Sequence, residues 1–449
     1  MGVSDSFTQK SHGSLLRVLG VGFGLAVTIG GTIGMGILRT PGEIAKQLPT
    51  PTLFIGIWIA GGVYALLGAI SVAELGAMIP RSGGFYVFAH RALGSYAGFI
   101  VGWSDWMSTC ATIALISMVV AEYSGVLFPT LATNQKTVAL VVTVCFALLQ
   151  WRGVLWGSRT QNVTSLIKVL AFAAFAIVAL IHPAAPAAPT AAPPVSAHGF
   201  AFFAAIILAL QGVLYTYDGW YGVIYFGEEI RDPKRDVTRS MLGGVLSIIL
   251  IYVLVNLALI HVMPLSDIAG EPLAVGKAAT IIFGSYGDTV IRVIAIVSML
   301  STINAYTLSA PRILYAMSCD SLFTHHGTRV NKGGTPTVTL FISTVVAVLF
   351  IISGTFNQVL AIVAFFFVSY YTMAFISVIV LRKREPHLPR PYRVWGYPWT
   401  TLIVIFGSIA FLAGAVAGDK KNSLWALGLL ALSAPVYLVV KRVSLRNHT

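Results

Sequence analysis

The chain has 449 residues, of which 57% are hydrophobic and 10% charged, with a mean hydropathy of +0.83 and a net charge of +13. A soluble domain carries roughly 25% charged residues, so this much apolar surface cannot be covered in water. The composition excludes an ordinary soluble enzyme or nucleic-acid-binding domain, and the solvent it fits is lipid.

A bilayer crossing takes roughly 20 apolar residues per helix, and the sequence divides into twelve candidate spans. Residues 1–17 read as a tail; up to Gly13 they are polar and lack the charged-then-apolar shape of a cleaved leader. The first five spans are Val18–Leu38, Leu53–Met78, Ser95–Leu127, Val138–Trp156 and Asn162–Ile181, grouped here as a unit over 18–181. Residues 182–200 form an Ala- and Pro-rich stretch, with prolines at 183, 186, 189, 193 and 194, expected to be an extended linker without helix. A second unit over 201–381 holds Ala201–Phe226, Met241–Val262, Asp288–Met317, Val338–Ile352 and Val359–Leu381. A basic loop follows over 382–398, then two further spans within 399–440, Trp399–Val416 and Ser423–Val440, and a tail over 441–449.

The positive charge follows the loops rather than any nucleic-acid stripe. With the N-terminus in the cytoplasm and sides alternating, most of the 29 Lys and Arg fall on cytoplasmic segments, the densest cluster being Arg382, Lys383, Arg384, Arg390 and Arg393. This inside bias sets the orientation, with both termini cytoplasmic. The three cysteines, Cys110, Cys145 and Cys319, imply no disulfide framework.

The first spans of the two units share a defect. One is interrupted by Gly30-Gly31-Thr32-Ile33-Gly34-Met35-Gly36, the other by Tyr217-Asp218-Gly219-Trp220. Glycine disfavours helix and admits close backbone approach, and Asp218 competes for backbone hydrogen bonds. Gly30 and Gly34 also satisfy an ordinary small-xxx-small packing pair. Two breaks at corresponding places favour the other reading. Five spans is an odd number, so the second unit enters the membrane from the opposite side, the pattern of an inverted-repeat transporter. A broken helix leaves backbone N–H groups unpaired at a partially positive terminus, suited to a carboxylate. It also frees carbonyls that can accept from an ammonium group. Two facing breaks therefore make a site for a zwitterion.

Further stretches carry a family resemblance. Gly31-Thr32-Ile33-Gly34-Met35-Gly36-Ile37 resembles the Gly-Ser-Gly-Ile motif of the amino acid–polyamine–organocation superfamily. Tyr215 to Trp220 resembles that family's sixth helix, Glu228 to Arg235 the acidic tail after it, Arg312 to Met317 the end of its eighth helix, and Arg390-Pro391-Tyr392-Arg393 the signature after the tenth. The match is collinear over nearly the whole chain and closest to the L-type amino acid transporter branch. It implies an all-α fold with two inverted five-helix repeats and helices 1 and 6 broken. It implies that backbone groups of Thr32, Ile33, Gly34, Met35 and Gly36 hold a substrate carboxylate, that carbonyls around Tyr215, Thr216 and Tyr217 hold the amino group, and that Tyr215 sits at an aromatic lid. Met35 stands where the family has Ser or Ala, which removes a hydroxyl and adds volume. Tyr221 departs from a commoner small polar residue.

Lys168, six residues into the fifth span, is costly inside a membrane unless functional. Its four-carbon stem also permits snorkelling to the interface. The resemblance places it where sodium sits in sodium-coupled relatives, so its ammonium is expected to substitute for that ion. Release of a proton from it during the cycle is the weaker alternative. Asp105, deep in the third span, is expected to hydrogen-bond within the bundle or pair with Lys168. Glu228, Glu229, Arg312 and Arg81 read either as gate ion pairs or as solvated helix ends.

No zincin, nucleophile-elbow or Walker A pattern occurs, so neither catalysis nor a metal or other cofactor is expected. The expected activity is sodium-independent exchange of mostly neutral L-amino acids across the cell membrane. Proton symport, and carriage of amines, polyamines or cationic amino acids with Asp218 as the cation's partner, stand as alternatives. L-type carriers in animals attach to a heavy chain through a cysteine after the third span. The loop from Phe128 to Lys136 has none, so no such partner is expected.

Overall fold

The structure, a computed structural model, describes residues 14–184, 200–353, 356–418 and 420–446. The helices in chain order are α1 (Val21–Thr32), α2 (Gly36–Ala45), α3 (Pro51–Met78), α4 (Phe85–Leu93), α5 (Ser95–Leu127), α6 (Gln135–Arg152), α7 (Val154–Ile181) and α8 (Phe200–Thr216). They continue with α9 (Pro233–Val262), α10 (Leu265–Ile268), α11 (Ala274–Phe283), α12 (Gly287–Cys319), α13 (Thr337–Ser353), α14 (Phe356–Arg384), α15 (Trp399–Gly418), α16 (Lys420–Ala431) and α17 (Ser433–Arg446). Among the described residues eight helices are long and apolar enough to cross a bilayer, or nine if the bent pair α1–α2 counts as one, and three shorter apolar helices lie in α8, α13 and α15.

Local chemistry explains several ends. α3 begins at Thr50, whose hydroxyl accepts from the Leu53 N–H at 3.3 Å, with Pro51 in the first turn where its missing N–H costs nothing. α9 likewise starts on Pro233. This places its start eight residues before the expected Met241, because the polar turn Pro233–Ser240 is helical although not apolar. α7 starts at Val154 rather than Asn162, because Gly153, at a φ of +138°, ends α6 at Arg152 where the fourth span was expected to run on to Trp156. The twelfth span is two helices meeting at Leu432. α4 and α11 were not expected as separate helices. They have nine and ten residues, too short for an apolar window of bilayer length. Most of the expected linker, 185–199, and the first residues of the tail, 1–13, lie outside the described residues.

The helices pack in two groups. α1, α3, α8 and α9 pack on one another, as do α5, α6, α12 and α13, while α7 bridges α1, α9 and α12. The breaks themselves lie where the first group meets α12 of the second. At one end the chain before α1 pairs with the chain after the second break, Leu19 N–H to Glu229 O and Arg231 N–H to Leu19 O, both at 2.9 Å. That end also carries the basic loop, drawn onto α3 by Glu74, which receives Arg382 and Arg390. At the opposite end Gly270 N–H donates to Gly42 O at 2.9 Å, tying the stretch after α10 to α2.

Candidate functional site

The first break bends the chain by 42° between α1 and α2. On its α1 side the carbonyls of Gly30 and Ile33 lose helical partners. Lys168 supplies replacements: its Nζ donates to Gly30 O at 3.0 Å, to Ile33 O at 2.6 Å and to Ser298 O at 3.0 Å. An ammonium has three donors, so these acceptors use all of them. Thr302 Oγ1 donates to Gly30 O at 2.9 Å and Ser298 Oγ to Ile33 O at 2.8 Å. Lys168 is fully buried, fourteen residues or about 21 Å into α7, which removes the snorkelling alternative. On the α2 side no side chain caps the new helix. The N–H groups of its first turn therefore have no partner within it, and Gly34, Met35 and Gly36 line a cavity there.

The second break begins after Thr216. The chain turns through Tyr217 to Tyr221, with Gly219 at a φ of +104°, and makes one short 3-10 turn at Gly222–Tyr225. A methyl group on Gly219 would sit 2.8 Å from the Gly31 carbonyl carbon and oxygen, so the two breaks touch backbone to backbone. Tyr252 of α9 joins them again. Its hydroxyl lies 3.0 Å from both Thr32 O and Thr216 O, the last carbonyls of α1 and α8. One hydroxyl proton is shared between two acceptors, which leaves both carbonyls with capacity for a further donor.

The cavity between the breaks measures about 40 Å³, room for roughly three waters. Thr32, Tyr215, Thr216 and Asp218 line it with the α2 start, joined by Ile116 and Tyr306. An ion pair stands toward each end. Toward the basic loop, Arg312 meets Glu229 at 2.9 Å with both side chains fully buried, and the guanidinium lies over the Phe226 ring. Toward the opposite end, Arg39 of α2 meets Glu122 of α5 at 2.7 Å, half-exposed, beside Tyr123.

The structure brings Thr32, Gly34, Met35, Gly36, Tyr215, Thr216 and Asp218 together around the cavity. Ile33 faces away from it, its carbonyl committed to Lys168 and Ser298. The Tyr217 side chain also turns away, donating to Trp58 O at 3.2 Å within a cluster of Trp58 and Tyr252. Asp105 does not pair with Lys168; it accepts from Tyr225 at 2.8 Å. Arg312 and Glu229 are a buried pair rather than solvated ends, Arg81 pairs with Asp320 at 3.0 Å, and Glu228 accepts from the Ser82 N–H. Sequence reading missed Ser298, Thr302 and Tyr306. They recur every four residues in α12, on one face of the helix, and that spacing was the available signal.

Two broken helices that meet backbone to backbone around a small polar-lined cavity, among helices long and apolar enough to span a bilayer, define a multi-pass membrane carrier of the inverted-repeat class. The amino acid permease family matches residues 23–435, and the chain belongs to that family. Among its relatives, the serine/threonine exchanger SteT of Bacillus subtilis (strain 168) is 27% identical over 95% of this chain and 98% of its own length. The large neutral amino acids transporter small subunit 2 of Homo sapiens is 25% identical over 88% of this chain and 76% of its own. The b(0,+)-type amino acid transporter 1 of Mus musculus is 26% identical over 87% and 81% respectively.

Proposed function

We propose that the chain exchanges small neutral L-amino acids across the cell membrane by alternating access, without sodium. The single observation that carries the sodium-free reading is the Lys168 ammonium, fixed on the Gly30, Ile33 and Ser298 carbonyls. With Nζ on all three carbonyls, no acceptors are left open there for a diffusible ion. The unpaired N–H groups of Gly34, Met35 and Gly36 take the substrate carboxylate, and the carbonyls of Tyr215 and Thr216 take its ammonium. Tyr215 covers the substrate, its ring packed toward Phe367. Exchange and neutral or hydroxylated substrates are what the printed names of the relatives describe for those proteins. The small cavity, narrowed by Met35 and Ile116, supports the small end of that range. The basic loop is cytoplasmic, with both termini on that side. The chain works without a disulfide-linked subunit, since the loop after α5 carries no cysteine and the three present lie elsewhere.

The test is uptake of labelled L-serine, L-threonine, L-alanine and L-leucine into proteoliposomes, empty or preloaded, in sodium-free buffer. Preloading is expected to stimulate uptake of the small substrates, and Met35→Ser to improve leucine relative to serine. A requirement for sodium would overturn the reading. Asp218 on the cavity wall favours one rival, a carrier of amines or cationic amino acids. Transport of a substrate whose carboxylate is blocked as the amide would decide for that rival.

A further inference from the structure

α6 and α13 pack side by side and leave an apolar groove of about 410 Å³ between them, against about 40 Å³ for the cavity at the breaks. Val144, Leu148 and Trp151 of α6 and Phe341, Val345 and Leu349 of α13 line it, and all six are exposed. From Trp151 to Val144 and from Leu340 to Leu349 the groove runs about 10 and 14 Å, at 1.5 Å per residue. Beyond Val144 and Leu349 it closes, where Ala139 and Ile351 pack with Val138 and Phe350. Its length is therefore about one leaflet, half of a hydrocarbon core of roughly 30 Å. A spanning helix of another chain needs the full depth. A lipid chain entering from one side needs only this much.

The mouth of the groove is built and basic. The turn before α13 is pinned to the corner between α6 and α7. Asn331 Nδ2 donates to Trp151 O at 2.6 Å, Thr335 Oγ1 to Gln150 O at 2.8 Å and Val154 N–H to Gly333 O at 2.9 Å. Gly153 and Gly333 make this approach possible, since a methyl group on Gly153 would lie 2.9 Å from the Gly333 Cα. Arg152, Arg329 and Lys332 are thereby held around one spot. All three are exposed, and among the described residues none has an ion pair. No Asp or Glu stands between Glu122 and Asp218 or between Asp320 and Glu385, and Asp320 itself is taken by Arg81. A methyl group on Gly334 would meet the Leu16 side chain, which puts the mouth at the end that carries the basic loop. Trp151 and Trp156 are exposed at this level, as indoles are beside lipid headgroups.

We propose that the groove holds one acyl chain of an anionic phospholipid from the leaflet on this side, with its phosphate received by Arg152, Arg329 and Lys332. Phosphate oxygens take charge-assisted hydrogen bonds from such cations, and no carboxylate competes or repels. A zwitterionic lipid brings a cation of its own into the same cluster and is disfavoured. The chain would lie on Leu340 and Thr344, whose other sides border Ile113 of α5 and Thr307 of α12. The lipid thus braces α5, α6, α12 and α13 as one group and leaves the breaks untouched. None of this depends on which substrate the cavity takes.

The test uses the full chain in detergent, stripped of lipid and titrated with phosphatidylglycerol or phosphatidylcholine of identical acyl chains. Native mass spectrometry counts bound lipid, and thermal unfolding follows its effect. One phosphatidylglycerol is expected to bind saturably and raise the unfolding temperature, with phosphatidylcholine far weaker. The triple variant Arg152→Gln, Arg329→Gln, Lys332→Gln should weaken phosphatidylglycerol about hundredfold, the effect of three surface cations. Arg235→Gln, Lys383→Gln, Arg393→Gln removes the same charge elsewhere on that side and should change binding little. Ala147→Phe fills the groove and should abolish the saturable site with every cation in place. A phosphatidylglycerol carrying a diazirine in its acyl chain requires no variant, and should label residues 144–151 and 340–349. Equal binding of the two lipids, an equal loss in the control triple, or label spread evenly over the outer helices would mean bulk lipid only and overturn the proposal. A dimer in detergent that Ala147→Phe dissociates would assign the groove to a second copy and overturn it as well.

Discussion

Lys168 is the residue on which the first break depends. Its ammonium stands in for the N–H groups that a continuous helix would have offered to Gly30 and Ile33, and it gathers Ser298 of α12 into the same cluster. Lys168→Met keeps the stem and removes three charge-assisted bonds, leaving the Gly30 and Ile33 carbonyls only the hydroxyls of Thr302 and Ser298. The expected cost is on the order of 3 kcal/mol, read as a fall in thermal unfolding temperature in detergent, with loss of exchange. Lys168→Arg should not rescue it, because a planar fork cannot converge on three carbonyls as a compact ammonium does. Retained exchange in Lys168→Met would show that the break is held by Ser298 and Thr302 alone.

At the scale of elements, the breaks were legible because glycines clustered where a span should have been uniform. Gly30 to Gly36 and Asp218-Gly219 are both visible in the sequence, and the third span was legible to the residue. What could not be read was the role of the whole, unbroken helices that serve the breaks. Tyr252 is one tyrosine in an apolar span; only packing shows that it reaches Thr32 and Thr216 together. Asp105 was visible as an acid, but its partner lies 120 positions away. α4 and α11 escaped because their length falls below the bilayer window that organises all the others. The contact between the breaks has a direct test. Gly219→Ala asks for a side chain at φ +104° and places it against the Gly31 carbonyl. The strain is about 1–3 kcal/mol before any clash. Exchange should fall at least about tenfold, since a loss of 1.4 kcal/mol at the working geometry already costs that much. Gly428→Ala, where added bulk meets nothing, should leave exchange unaltered in the same assay.

For the whole molecule, the cycle is the alternate parting of two helix groups around the cavity, and the ion pairs at its ends are what must part. They are not equal. Arg39–Glu122 is half-exposed, and an exposed pair contributes roughly 0–1 kcal/mol. Arg312–Glu229 is buried on both sides. Removing one partner, as in Arg312→Met, strands a buried charge and should destabilise by about 3–5 kcal/mol. Replacing both with methionine should recover most of that stability while slowing exchange, because an apolar latch no longer gains from coming undone. A double variant as unstable as the single one would show that the pair is needed for packing and not as a latch. The buried pair has one more consequence. Opening at that end must draw water onto two ions that the closed molecule keeps dry, so the open form is the more hydrated one. Solutes excluded from protein surfaces favour the form with less exposed surface. Sucrose on the side of the basic loop should therefore slow turnover as its concentration rises, and the methionine pair should lose that osmotic sensitivity.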